Sequence, residues 1–482
     1  MNDALEGSLD TQNAVSEVSA RAEPPKNTSP GTGNLADQAA ASKQSQHSHL
    51  GASGEGPVRI GLLGCGIVGS AVCRHLEANA DDIAQKTGLK LEVAAAAVRS
   101  LSKDRDCNLP RERFTTDPTS IVERADIDIV VEVIGGIEPA RTLILKALEA
   151  GKPVVTANKE LISVLGTELF EAAAQARTEI LFEASVGGGI PIIRPLRDSL
   201  AGERVRRVVG ILNGTTNYVL TKMTERGSSL HDALARAQEL GYAERDPTAD
   251  IEGYDAAAKT AIIASMAFDT RVTAGEVFRE GITGVTEADI RFADRLGYVI
   301  KLLSVAELSG GEVEVRVHPA MIPKTHPLAS VRDSFNAIFV ETEAAGELMF
   351  YGRGAGGDPT ATSVIADIVE AARRLRFGGE PQVQIPTRRF PIKSFDDIET
   401  QYYLLLEVVD RPGVLAQIAS CFGKNSVSIA SVWQEGHGDN AQLVMITHSA
   451  RERDFQATLH DLRALEVVTR VVSTLRVEDE ET

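Results

Sequence analysis

The chain has 482 residues, a formal net charge of -18, 43% apolar residues and 24% charged ones. That length predicts about three domains with a substantial core, and the acidic balance argues against nucleic-acid or anionic-membrane binding. No apolar run approaches the roughly 18 residues of a membrane span, and "MNDALEGSLD" has neither the basic end nor the apolar core of a secretory signal, so a cytoplasmic location is expected.

Residues 1–56 are Ser, Ala, Asn, Gln, Gly and Pro with scarcely any apolar clusters. Such a segment cannot offset its ordering entropy by burial, and a disordered tail is expected. Order is expected from "VRIGLLGCGIVGSAVCRHLEANA" onward. A short strand, Val58 to Leu63, meets three glycines there, and a helix follows from about Val68. Further buried strands are predicted in "LKLEVAAAAVRS", "IDIVVEVIGG" and "KPVVTANK", with helical patterns such as "EPARTLILKALEAG" between them. Strands alternating with helices predict an α/β, Rossmann-type doubly wound parallel sheet over residues 57–178.

From about residue 180 the rhythm changes. "RVRRVVGILNGTTNYVL", "EVEVRVHPAMI" and "NAIFVETEAAGELMFYG" read as longer, partly alternating strands with helices interspersed, and residues 179–349 are expected to form an α+β substrate domain. One helix is well marked. Ser229 caps it, Leu230, Leu234, Ala237 and Leu240 share a face, and Gly241 stops it. In "YGRGAGGDPTATSVIADIVEAARRL", Asp358 is the expected N-cap and Pro359 takes the first helical position. Residues 350–378 are expected to pack back on the first domain. A connection over 379–400 bears Pro and Gly and leads to residues 401–477, whose order of strand, helix, strand, strand, helix, strand predicts a ferredoxin-like βαββαβ unit. The four cysteines, Cys65, Cys73, Cys107 and Cys421, form no CxxC pair or metal spacing and read as reduced thiols.

Gly64-Cys65-Gly66-Ile67-Val68-Gly69 is GxGxxG directly after a strand and at the head of a βαβ series, where backbone N–H groups at a helix N-terminus receive a pyrophosphate. The bland reading is a structural glycine turn. The second strand ends in Val98-Arg99-Ser100 with no carboxylate at its tip. Arg99 would attract a ribose 2′-phosphate, so NADP as well as NAD is expected to bind, with a solvated surface arginine as the alternative. In "TANKE", Asn158 is the expected N-cap and Lys159 sits in the first turn. A cation there opposes the helix dipole, and proximity to a cofactor or substrate anion would explain it; a plain exposed lysine would not need one.

"GYAERDPTADIEGYDAAAKT" gathers Glu244, Asp246, Asp250, Glu252 and Asp255 ahead of one lysine, Lys259. With a helix from about Gly253, Asp255 and Lys259 stand at i and i+4, a pairing worth only roughly 0.3–0.5 kcal/mol on a surface. The apolar "AIIASMAF" that follows predicts burial instead. A buried Lys–Asp pair is seldom there for stability, and a site that grips an ammonium and moves a proton is the favoured reading.

Together, "GLLGCGIVG", "VVEVIGGIEPA", "VVTANKELIS", "FEASVGGGIPII", "GILNGTTNYVL", "GYAERDPTADIEGYDAAAK", "HPAMIPKTHPLASV" and "YGRGAGGDPTATS" resemble the homoserine dehydrogenase family over about residues 57–477. "DRPGVLAQIASCFGKNSVSIASV" resembles an ACT domain. The resemblance implies NAD(P)-dependent interconversion of L-homoserine and L-aspartate-4-semialdehyde. It implies Lys259 as proton donor and acceptor, Asp255 as its partner at the substrate hydroxyl, Glu244 at the substrate amino group, Asp250 beside it, and Lys159 at the cofactor–substrate junction. Gly135, Gly241 and Gly356 match cofactor contacts. "FEASVGGGI" matches a loop holding a monovalent cation, Na+ or K+, through oxygens of Glu183, Val186, Gly188 and Ile190. Gly413, Asn425 and Ser428 are the expected regulatory contacts, with threonine as inhibitor and a homodimer or homotetramer as the assembly. The N-terminal tail departs from the family pattern, and no kinase block is present. An ACT unit used only for oligomerisation, a degenerate amino-acid sensor, and the prephenate and phosphoglycerate dehydrogenases stand as alternatives.

Overall fold

The computed structural model describes residues 56–382, 384–436 and 441–478, so the expected tail lies outside the described residues. Six strands form the first sheet: β1 (Val58–Leu63), β2 (Leu91–Ala97), β3 (Phe114–Thr115), β4 (Ile129–Glu132), β5 (Val154–Thr156) and β6 (Ile180–Leu181). Their order is β3-β2-β1-β4-β5-β6, every pairing parallel. The order reverses between β1 and β4, and the crevice outside their carboxyl ends is where such sheets take ligands. The strands read as unbroken apolar runs because helices cover both faces. The helix Gly357–Phe377 belongs to this cover. Its Ala361, Val364, Ile368 and Ala371 share one buried cluster with Ile60, Leu62 and Val72. Close approach requires Gly357, since a Cβ there would lie 2.9 Å from Ile67 Cγ2. Asp358 is not its N-cap. Gly356 takes that position without a side-chain bond, so Pro359 is the third helical residue rather than the first, and Asp358, the second, pairs with Arg74 and with His75 Nε2 at 3.0 Å on the helix Ile67–Ala78.

The second sheet holds β7 (Val205–Ile211), β8 (Phe278–Arg279), β9 (Tyr298–Ser309), β10 (Glu312–Pro323), β11 (Phe335–Thr342), β12 (Glu347–Arg353), β13 (Glu399–Val408), β14 (Ile429–Glu435), β15 (Ala441–Thr447), β16 (Ala450–Arg451) and β17 (Val468–Val477). Its main path runs β12-β11-β7-β9-β10-β17-β13-β15-β14. "RVRRVVGILNGTTNYVL" is a strand only as far as Ile211. Asn213 then accepts from Thr216 N (2.9 Å) and starts the helix Gly214–Arg226. The strand pattern carried on into this helix because its residues Thr215 to Leu220 are buried all round, which erases helical periodicity. Ser229 does cap Leu230–Glu239, through Asp232 N at 3.1 Å, but Leu240 is exposed and Ala233 joins Ala237 as the buried face.

The last four path strands are the C-terminal βαββαβ unit, with the helices Val414–Lys424 and Glu452–Arg463. The sheet is continuous across the junction because β17 pairs in parallel with β10 at Ala320↔Arg476 and Met321↔Val477. Buried charges line the seam. Burial alone would raise the Glu478 carboxyl, but Arg316 and Arg207 hold it well below the carboxylate range. Arg476 bonds to Glu452 Oε2 at 3.0 Å and Glu280 at 2.7 Å. The connection before β13 lies along the catalytic part, with Arg388 N donating to Asp269 O (3.0 Å) and Lys393 N to Val313 O (2.8 Å).

Candidate active site

At the crevice, Gly64 has φ +100° and donates its N–H to Ala97 O at 3.0 Å. A Cβ on Gly64 would lie 2.8 Å from Val133 O, and one on Gly69 would lie 2.2 Å from Gly64 O. The first contact presses the turn after β1 against the end of β4, and the second presses the helix Ile67–Ala78 against that turn. Gly66 is different: its Cβ position is open, with no other group within 4 Å. The first intrahelical bond is Ser70 N to Gly66 O, so Ile67, Val68 and Gly69 keep N–H groups without an intrahelical acceptor. An open glycine beside free amides is the cradle a pyrophosphate requires. Gly135, at φ +81°, lies after the end of β4, where its N–H and that of Ile134 bond to Glu132 Oε1 at 3.1 and 2.7 Å. Glu132 is fully buried and also accepts from Thr156 Oγ1 at 2.6 Å. Arg99 is exposed just beyond β2.

The acidic stretch delivers its pair as expected. Gly253, at φ +79°, starts the helix Tyr254–Phe268, and Ala256 to Lys259 are buried. Lys259 Nζ donates to Asp255 Oδ2 at 2.7 Å and to Leu212 O at 2.8 Å, where β7 has just ended. Asp255 Oδ1 faces Lys159 Nζ at 3.2 Å. Lys159 comes from the other sheet's side: Asn158 caps its helix through Leu161 N (3.1 Å) and fixes the loop after β4 through Gly136 O (2.7 Å). Burial would raise the Asp255 carboxyl, but Lys259, Lys159 and Asn213 outweigh it and hold it at about 2. Burial opposes the Lys159 ammonium, yet Asp255 brings its pKa above the ordinary value.

Asn213 is the member that sequence reasoning missed. Its Oδ1 caps a helix while its Nδ2 donates to Asp250 Oδ1 (2.7 Å) and Asp255 Oδ2 (3.0 Å). The signal was an Asn before "GTTNY", a cap residue beside the conspicuous block. Burial, with the nearby Asp255 charge, pushes the Asp250 carboxyl up despite Asn213. Glu244 is exposed, and its backbone carbonyl accepts from Gln238 Nε2 at 3.1 Å. Asp246 bonds its own turn through Thr248 Oγ1 (2.7 Å). Gly241 has φ +76° and Gly356 φ +115°.

The loop at Glu183, Val186, Gly188 and Ile190 is buried apart from Gly189. The Glu183 carboxylate accepts from the N–H groups of Ile192, Ile193 and Arg194 at 2.6, 2.8 and 2.8 Å. The carboxylate is therefore engaged, and the Glu183 main-chain oxygen accepts from Val186 N at 3.4 Å. Gly188 O accepts from Ser363 Oγ at 2.6 Å. In the C-terminal unit Gly413 (φ +93°) is the N-cap of Val414–Lys424, and no side chain caps that helix. Ser428 is exposed before β14, whereas the Asn425 amide is bonded to Cys421 O (2.9 Å) and Asp461 Oδ2 (3.1 Å).

Comparison with known proteins fits this arrangement. Residues 64–183 match the family model "Homoserine dehydrogenase, NAD binding domain", 191–369 match "Homoserine dehydrogenase", and 402–467 match "ACT domain". The homoserine dehydrogenase of Corynebacterium glutamicum is 48% identical over 433 residues, covering 88% of this chain and 97% of that protein. That of Mycobacterium tuberculosis is 49% identical over 435 residues, 88% of this chain and 98% of that one. The chain belongs to the homoserine dehydrogenase family. Among solved structures, the homoserine dehydrogenase of Thiobacillus denitrificans superposes with TM-score 0.84 at 40% identity, covering 88% of this chain and 99% of that one. A hyperthermophilic archaeal homoserine dehydrogenase, solved in complex with NADPH, covers 66% of this chain and 98% of its own, with TM-score 0.56 and 31% identity. The protein is thus an NAD(P)-dependent oxidoreductase acting on a CH–OH group, with a nicotinamide-binding domain and an ACT domain. Prephenate and phosphoglycerate dehydrogenases are set aside. Among the described residues no helix is long and apolar enough to cross a membrane.

Proposed function

We propose that Lys259, Asp255 and Lys159 carry the interconversion of L-homoserine and L-aspartate-4-semialdehyde, a step towards threonine, methionine and isoleucine. The observation that carries this reading is the shared Asp255 carboxylate, with an ammonium on each oxygen at 2.7 and 3.2 Å. The nicotinamide cofactor, when bound, supplies or accepts the hydride at the carbinol carbon. Two hydrogens of the Lys259 ammonium are held by Asp255 and Leu212 O. The third is left to give a proton to the developing alkoxide, and the same nitrogen takes one back in oxidation. Asp255 keeps the lysine oriented, and Asn213 fixes Asp255. Lys159, at a helix start near the loop after β4, serves the junction between cofactor and substrate. Asp250 and Glu244 face the substrate ammonium. An intact constellation of this kind favours turnover over a purely sensing role. Glu244→Gln should weaken substrate handling by roughly 1.5–3 kcal/mol, read as kcat/KM for homoserine; unchanged constants would put Glu244 outside the site.

NADP is accepted alongside NAD, because Arg99, just beyond β2, stands where a carboxylate would select NAD. Arg99→Asp should turn the ratio of kcat/KM values for NADP and NAD towards NAD by about tenfold or more, the scale of one lost charged hydrogen bond. An unaltered ratio would mean Arg99 does not reach the ribose. A monovalent cation, Na+ or K+, suits neutral main-chain oxygens of Glu183, Val186, Gly188 and Ile190, and there it would stiffen the loop beside Gly356. A cytoplasmic location is in keeping with this reading.

Regulation is assigned to the ACT domain, with threonine as inhibitor. Its carboxylate would meet the uncapped helix start at Gly413, with Ser428 close by in sequence to β14; Asn425 has its amide already bonded and contributes little. Support for a path to the active site comes from the junction. Arg476 on β17 bonds to Glu280, and two residues on, Ile282 N bonds to Ile251 O at 2.8 Å, beside Asp250. The free edge at β14 exposes Val432 and Trp433 (42% and 52%), which supports pairing of ACT domains in a homodimer or homotetramer. Gly413→Asp puts a carboxylate and a Cβ at φ +93°, where the ligand carboxylate is expected. Threonine should then inhibit at least tenfold less well while turnover without threonine stays near wild type. Equal inhibition would locate threonine in the catalytic site.

A further inference from the structure

Three of the four cysteines meet beneath the nucleotide loop, although they are far apart in sequence. Cys65 stands between Gly64 and Gly66, Cys73 lies two turns along the helix Ile67–Ala78, and Cys107 follows β2 in the loop whose Arg105 carbonyl accepts the Cys107 N–H at 2.9 Å. Their sulfurs all lie within 4.8 Å of one another, and Cys65 Sγ to Cys107 Sγ is 3.9 Å. Cys65 and Cys73 are buried and Cys107 is half-exposed.

From this geometry we propose that Cys65, Cys73 and Cys107 form a binding site for a thiophilic metal ion, of the class of Zn2+, Cd2+ or Cu+. Three sulfurs sharing one ion at about 2.3 Å stand roughly 4 Å apart; Cys65 and Cys107 have that separation, and Cys73 lies within 4.8 Å of both. A disulfide would need two of them to close to about 2.05 Å. Soft thiolates select such ions over the hard cations that prefer oxygen. Ser70 Oγ, 3.5 Å from Cys65 Sγ, or a water entering beside Cys107 completes four-coordination. Binding releases the thiol protons as the sulfurs become ligands. The site does not depend on the catalytic roles assigned above.

The test is titration of the reduced full-length chain with Cd2+ in a chelator-free buffer, following thiolate-to-cadmium absorption and proton release. One equivalent per chain is expected. Affinity should fall at least tenfold in Cys107→Ser, whose half-exposed position spares the core, and in Cys73→Ala, while Cys421→Ser behaves as wild type. NADPH binding by each variant, read by fluorescence, verifies that the domain is folded. Absence of a one-equivalent step, a step unchanged in both Cys107→Ser and Cys73→Ala, or one that disappears with Cys421 would overturn the proposal.

Discussion

Lys259→Ala should lose turnover by about two to four orders of magnitude, the usual contribution of a positioned general acid. Reduction of the aldehyde leaves an alkoxide that needs a proton in the same step. Lys259 is the group whose ammonium is held by two fixed acceptors, Asp255 at 2.7 Å and Leu212 O at 2.8 Å, with its third hydrogen uncommitted. Dinucleotide affinity should stay within a few-fold of wild type, because Gly64–Gly69 follows β1 of the first sheet, whereas the Lys259 ammonium bonds to Asp255 and Leu212 O. The variant should also fold. Removing one member of a buried ion pair is costly when it strands the other, but Asp255 keeps Lys159 at 3.2 Å and Asn213 at 3.0 Å. Steady-state kcat together with a fluorescence titration of NADPH separates these effects. Turnover within a few-fold of wild type would mean that another group gives the proton.

Asp255→Asn should lose a comparable share of kcat and also move the pH profile. In the wild type the carboxyl is held at about 2, so Asp255 is ionised throughout the working range and does not cause any acid limb. A carboxylate whose folded pKa lies below its unfolded value stabilises the fold above about pH 4 and ceases to do so as pH falls through about 2. The amide variant should therefore differ from wild type in stability most at neutral pH and least in strong acid. Its effect on Lys159 has the opposite sense. Burial depresses that lysine and Asp255 more than restores it, so without the carboxylate Lys159 should deprotonate at lower pH. The alkaline limb of kcat/KM is expected to shift to lower pH. An unshifted limb, with kcat intact, would reduce Asp255 to a structural partner.

Local pattern carried much of this into the sequence. Alternating strands and helices around GxGxxG predict the first sheet, and Asn158 and Ser229 announce the helices they cap. Asp255 and Lys259 meet because i and i+4 share a helix face. What the sequence hid is contact between distant segments. Asn213 bridges carboxylates 37 and 42 residues away, and nothing local marks it as more than a cap. Nor does the sequence show that the Glu183 carboxylate is taken by the three amides of Ile192 to Arg194. Asp358 had the sequence of an N-cap and instead reaches across to Arg74 and His75, because the backbone at Gly356 enters the helix from a positive φ. The cysteine cluster has no ligand spacing at all, since a turn, a helix and a loop supply one sulfur each. Nor does any pattern foretell that β17 would extend the catalytic sheet. That pairing rests on Arg316 and Arg207 meeting Glu478, a partner from the far end of the chain.

The most direct measurement is NADPH consumption by the full-length chain with L-aspartate-4-semialdehyde as the only carbonyl compound, with the product identified and the same assay run on Lys259→Ala. One homoserine formed for each NADPH consumed, at a rate that collapses when the Lys259 ammonium is removed, is the result expected. NADPH loss indifferent to the aldehyde, or a rate that survives without Lys259, would contradict the site described.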